Sequence, residues 1–213
     1  MKLLMGGCVG YESPRMQQNL NGIYNPAVIL KLYKANVQGS AEEELIAFMG
    51  LAHLFGGGAY VFILDNELND HKLLGLFEFT ALRNQNPQLT FKKLHNDETV
   101  DILVMVDLNR SVYYSDGLHI IHTEKDSAKI VFSTATVFVD HLRMIEEDKA
   151  LVNKARVSFK DLDNDGVLEI ELNEKQEIVK GNWNNPIESK VLKSESRVIY
   201  QWDSKRSQYI RNQ

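Results

Sequence analysis

From Tyr60 onward the apolar residues recur with a period of two, in short runs broken by clusters of Asn, Asp, Gly and Ser. "YVFIL", "LLGLFEFTAL", "DILVMV", "KIVFSTATVFV", "RVSFKDL", "LEIEL" and "RVIYQW" are rich in β-branched and aromatic side chains. Such residues suit a pleated, half-buried surface, and runs spaced at about ten residues predict an antiparallel sheet, sandwich or propeller. This pattern constrains the fold more than anything else in the chain. With 213 residues there is material for one full core or two small ones.

The N-terminal quarter reads differently. "NPAVILKLYKAN" offers Asn25 as a cap and Pro26 at a first helical position, followed by apolar residues at helical spacing. In "SAEEELIAFMGLAHLF", Ser40 and Glu43 match a capping box, acids fill the first turn, and Leu45, Phe48, Met49, Ala52 and Leu54 make a stripe that Gly56, Gly57 and Gly58 would end. The segment at 140–155 reads as a helix or a long polar loop. The expected organisation is therefore a flexible stretch at 1–24 and a single β-rich domain at 25–213, helical over 25–56. Its strands are expected to form blade-like hairpins in an open or incomplete propeller-like arrangement.

Charge narrows the choice of partners. The net charge is −5, with acids and bases interspersed, whereas a nucleic-acid partner requires a concentrated cationic face. No apolar run reaches the roughly 18 residues of a transmembrane helix. The single cysteine, Cys8, forms no internal disulfide. Its setting, "LLMGGC", resembles the end of a bacterial lipoprotein signal, which implies a lipid anchor through Cys8. Only Met1 to Met5 precede the glycines, short of the apolar region of about 7–15 residues that a secretory signal has. A plain flexible N-terminus stays open as the alternative.

The densest chemistry lies in "FKDLDNDGVLEI", residues 159–170. Oxygen ligands at alternating positions suit Ca²⁺, a hard cation that takes about 6–8 oxygens. Asp161, Asp163, Asp165 and Glu169 would supply carboxylates, Val167 its carbonyl, and Gly166 the sharp turn. The first half is like an EF-hand, but Leu172 stands where an EF-hand has its bidentate Glu, and the flanks alternate like strands. A polar turn is the competing reading, because Asp and Asn also bond their own backbone. The pattern D-x-D-x-D-G-x-x-E resembles the FG-GAP or VCBS repeats, whose strand-borne loops bind calcium, and the match covers about a dozen residues. The terminal "VIYQWDSKRSQYI", with Trp202 and Tyr209, resembles the hairpin that closes small secreted proteins carrying such loops. That likeness implies a calcium-binding module of the bacterial envelope or its exterior.

Residues 91–102, "FKKLHNDETVDI", align on 159–170 without gaps, with six identities in 12 positions. Lys93, His95 and Glu98 stand where the second copy has Asp161, Asp163 and Gly166, so the first loop is expected to be free of metal. "LDNELND", with Asp65, Glu67 and Asn69, is a third, weaker echo or simply a polar hairpin turn.

No catalytic constellation emerges. G-x-S-x-G, H-E-x-x-H, C-x-x-C and phosphate-loop patterns are absent from the sequence. His119 and His122 lie three apart in a strand-like run and so on opposite faces, which argues against a shared metal. The expected function is a non-catalytic, calcium-binding interaction module with a protein or glycan partner. An envelope hydrolase with a site assembled from loops, and a purely structural subunit, remain the alternatives.

Overall fold

The computed structural model describes residues 9–11, 27–39, 42–52, 57–65, 72–81, 88–95, 98–109, 113–140, 149–182, 185–191 and 196–212. Its elements are β1 (Val9–Tyr11), β2 (Ala27–Ala35), β3 (Glu44–Ala52), β4 (Gly57–Leu64), β5 (Leu73–Ala81), β6 (Gln88–Lys92) and β7 (Asp101–Asn109). They continue with β8 (Tyr113–Glu124), β9 (Ser127–Asp140), β10 (Lys149–Lys160), β11 (Glu169–Asn182), β12 (Asn185–Val191), β13 (Ser196–Asp203) and β14 (Gln208–Arg211). One sheet has the order β1-β2-β3-β4-β5. The other has nine strands, ordered β14-β13-β11-β10-β9-β8-β7-β6, with β12 also paired to β11. The pairs whose register is defined are antiparallel. The fold is mainly antiparallel β, as the period of two requires, in sheets of five and nine strands rather than four-stranded blades.

The expected helices are strands. Residues 27–35 and 44–52, inside the span read as helical, form β2 and β3 and pair from Ala27↔Ala52 to Ala35↔Glu44. "AVILKLYKA" and "ELIAFMGLA" are apolar at odd and even positions alike, so a helical stripe can be drawn through either. β-branched and aromatic residues then favour the extended form. The glycines read as a helix stop also change role, with Gly57 and Gly58 opening β4. Glu44, from the acidic run read as a first helical turn, instead accepts the backbone N–H groups of Val37 (2.7 Å) and Gln38 (3.2 Å). Within 140–155, residues 149–155 belong to β10, and 141–148 lie outside the described residues. Cys8, Asn25, Pro26, Ser40, Leu54 and Gly56 lie outside them too.

The chain divides into two compact units. The first comprises Met1–Lys93, Asp97–Val106 and Ile120–Ile130. Its core gathers Ile46, Phe48, Val61, Ile63, Phe79, Ile102, Val104 and Ile121, with Tyr33, Phe77 and Phe91 packed against them. The second comprises Leu94–Asn96, Asp107–His119 and Val131–Gln213. Here the apolar burial changes faces along β11: Ile170 and Leu172 are buried near the loop, whereas Val179 is buried at the far end with Val139, Ala150 and Val152. Even and odd residues of a strand point oppositely, so the hairpin covers one face near its loop and the other face beyond it.

The two sequence copies are matching hairpins. In β6–β7 the closing pairs are Phe91↔Ile102 and Lys92↔Asp101. In β10–β11 they are Phe159↔Ile170 and Lys160↔Glu169, the same residues in the alignment. Ile102 and Ile170 are each 0% exposed. Replacing either by Ala is expected to cost about 2–5 kcal/mol in urea denaturation, the range for a deleted core side chain. A loss below about 1 kcal/mol at Ile170 would mean that the second hairpin is not anchored by its core face.

Candidate metal centre

The loop at 161–168 owes its shape to its own carboxylates. Asp161 Oδ2 accepts the Gly166 N–H at 3.1 Å, Asp163 Oδ1 that of Asp165 at 3.3 Å, and Asp165 Oδ1 that of Val167 at 2.8 Å. These are the side-chain-to-backbone bonds that make Asp a turn former. Asn164 (φ 62°) and Gly166 (φ 86°) take left-handed conformations, which Asn and Gly tolerate best. The two residues reverse the chain within one loop.

Glu169 differs from the three aspartates. It opens β11, is 3% exposed, and accepts the Leu162 N–H at 2.7 Å. A buried carboxylate is costly unless it is hydrogen-bonded, and this bond closes the base of the loop. Asp161, Asp163 and Glu169 each offer a carboxylate oxygen, all within 4.8 Å of one another. Two oxygens on opposite sides of a calcium ion, each at about 2.4 Å, are about 4.8 Å apart, so the spacing fits one ion. Each carboxylate that holds a backbone N–H through one oxygen retains a second oxygen. Asp165 is exposed and is not part of this close group, and Val167, half-buried, gives its N–H to Asp165. The structure thus gathers three of the four carboxylates singled out in the sequence.

The earlier loop has the same frame and different contents. Leu94 is 0% exposed, whereas its counterpart Leu162 is 40% exposed. His95, in the place of Asp163, is buried against Trp202 (ring centroids 4.3 Å) and Tyr209 (6.1 Å) of the terminal hairpin. That hairpin is present as β13–β14, with Trp202 opposite Tyr209. The Tyr209 hydroxyl donates to the Leu168 carbonyl at 3.0 Å, and the Leu168 N–H donates to the Leu94 carbonyl at 2.8 Å. The aspartate-rich loop is therefore held at Leu168 by the earlier loop and by the terminal hairpin.

A third hairpin of this kind escaped the sequence reading. Between β2 and β3, Glu44 is 1% exposed and takes the Val37 N–H, as Glu169 takes that of Leu162. Gly39 (φ 76°) supplies the left-handed residue, and its N–H donates to Asn36 Oδ1 at 2.6 Å. The Val100 N–H donates to the Asn36 carbonyl at 2.9 Å, as that of Leu168 does to Leu94. The available signal was the acid that begins the next strand: Glu44 stands opposite Ala35 where Asp101 and Glu169 stand opposite Lys92 and Lys160. In the "LDNELND" echo, the Asp65 N–H donates to the Lys72 carbonyl at 2.8 Å; residues 66–71, including Glu67 and Asn69, lie outside the described residues.

Beside the loop, β10, β11 and β13 carry a charged cluster that the sequence did not reveal. Glu171, 4% exposed, accepts from Lys160 and Arg197, and Ser158 donates to it at 3.3 Å. The hydrogen bond from Lys160, joined by Arg197, holds the Glu171 carboxyl well below its usual range, at about 2. Elsewhere, His119 and His122 of β8 bond separate partners, Ser133 and Asp101, each at 2.8 Å. Burial lowers the His119 pKa. Comparison with known protein families, with characterised proteins and with solved structures gives no match to this chain.

The Glu171 cluster sets an acid limb of stability. Its folded pKa lies below the unfolded value, so its contribution is complete above about pH 4.5 and is lost as the pH falls from there towards 2. Denaturation midpoints followed across that window should fall more steeply for the wild type than for Glu171→Gln. Equal slopes would show that the Lys160 and Arg197 contacts do not hold the carboxylate in solution.

Proposed function

We propose that the protein is a non-catalytic binding module of a bacterial cell envelope in which one calcium ion clamps the β10–β11 loop. Asp161, Asp163 and Glu169 hold the ion, with Asp165 and the Val167 carbonyl completing the oxygen set. The observation that carries this reading is the convergence of three carboxylate oxygens within 4.8 Å, on a frame whose other copy has Lys93 and His95 in the places of Asp161 and Asp163. The D-x-D-x-D-G-x-x-E pattern and its likeness to FG-GAP and VCBS loops support the same reading, as does its strand–loop–strand setting.

The envelope location follows from the chemistry of the ion. Extracellular modules work with affinities of about 10⁻⁴–10⁻³ M, which suffice only where calcium is abundant. A lipid anchor on Cys8 belongs to this proposal. The partner, a protein or glycan, meets a surface rather than a deep cleft: an open groove of about 470 Å³ lies over β9, β10, β11 and β13. Phe138, Asn153, Glu174, Gln176 and Ser196 line it, one aromatic ring among amides, a carboxylate and a hydroxyl.

The binding of calcium to the folded state alone raises stability by about 2.7 kcal/mol at a hundredfold excess over Kd. For a chain of this size that corresponds to a rise in Tm of about 5–10 °C. The wild-type melting midpoint should therefore be higher in millimolar calcium than in chelator. Asp163→Ala should lose most of that difference and be at least as stable as the wild type in chelator, because one of several repelling charges is gone. A wild-type midpoint indifferent to calcium reduces the loop to a polar turn.

A further inference from the structure

The five-stranded sheet is apolar on both of its faces. Ile46, Phe48, Val61 and Ile63, each 0–1% exposed, fill the side that belongs to the first unit's core. Residues paired across strands point the same way, so the other side can be read from the register. One row of it is Leu32, Ala47, Phe62 and Leu76. The row on one side is Met49, Tyr60 and Glu78, and on the other side Lys34, Leu45, Leu64 and Leu73. An antiparallel sheet with one wet face alternates apolar and polar residues, whereas near-continuous apolar strands belong to sheets covered on both faces. Yet Leu32, Leu73 and Leu76 remain 36%, 51% and 52% exposed, and Ala47, Met49 and Phe62 are only half-buried.

We propose that this face is a self-association surface, covered by the same face of a second copy of the chain. Four strands at about 4.8 Å spacing and nine residues at about 3.4 Å each give a flat footprint of about 590 Å². Protruding side chains raise the accessible area above the footprint, towards the roughly 800 Å² that each partner contributes to a standard interface. The composition fits as well. Aromatic residues and Met occupy the middle, while the charges, Lys34 and Glu78, sit at the two ends of the outer rows.

The central row is also self-complementary. A two-fold axis running along the strands between β3 and β4 places Phe62 over the partner subunit's Ala47, and Leu32 over the partner subunit's Leu76. Large residues then meet a small one or pack side by side, and every contact occurs twice, as an isologous interface requires. Two sheets so packed lie about 10 Å apart. A lipid surface is the poorer occupant, because interfacial membrane binding draws on Lys and Arg beside the apolar face. Here Lys34 is matched by Glu78 in a chain of net charge −5.

The test is sedimentation velocity on the full chain, from low to high micromolar concentration. The wild type should be a dimer. Leu76→Glu, at a position exposed enough to accept a charge, should be a folded monomer, and Ile187→Glu, at the 79% exposed Ile187 on β12, should remain a dimer. Spin labels on Leu76→Cys in a Cys8→Ser background provide a second reading that does not depend on the charged variant folding. They should report an intermolecular distance of about 15–20 Å, from three strand spacings across the sheet and one sheet-to-sheet spacing. A wild-type monomer at every concentration overturns the proposal, as does a dimer without that distance. A monomer that binds neutral lipid vesicles also overturns it, in favour of a membrane surface.

Discussion

A carboxylate buried at the first residue of a returning strand is the constraint around which these hairpins are built. Glu44 and Glu169 occupy that place in two hairpins, each nearly inaccessible to water and each taking a backbone N–H from the start of its own loop. Without the bond, the charge would carry its desolvation cost uncompensated, and with it the loop is tied to the strand pair. Asp101, in the equivalent place of the middle hairpin, is equally buried and meets the His122 ring instead. One frame thus supports three kinds of loop, and the aspartates of the last copy are an elaboration of it.

The frame explains how one loop can carry ion chemistry. Asp161, Asp163 and Asp165 use backbone N–H groups to hold a tight turn, and Glu169 anchors its base. In the neighbouring copy Lys93 and His95 stand in the places of Asp161 and Asp163, His95 is buried against Trp202, and the Leu94 carbonyl accepts the Leu168 N–H. Calcium in the second loop would draw together carboxylates that otherwise repel, so the ion would stabilise the hairpin and the groove on its strands together.

The sequence made the last hairpin legible because its evidence is local: alternating aspartates, a glycine, and strands on either side. The middle hairpin was legible through identities, and the shared register of Phe91↔Ile102 and Phe159↔Ile170 gives them a physical basis. The first hairpin was hidden by its own composition. β2 and β3 are apolar at both parities, so helical and extended periods fit equally, and the acids at 42–44 imitate a helix start. That ambiguity reflects a sheet apolar on both faces. The Glu171 cluster was illegible because Lys160, Glu171 and Arg197 meet only through the register of three strands.

The central claim is that the 161–169 loop binds one calcium ion through Asp161, Asp163 and Glu169. Isothermal titration of the metal-free chain with calcium tests it most directly. The account predicts a single binding event of one ion per chain, abolished in Asp161→Ala, with magnesium a far weaker competitor because it demands near-ideal octahedral geometry at shorter distances. Absence of a binding event at millimolar calcium, or one that Asp161→Ala leaves unchanged, would contradict it.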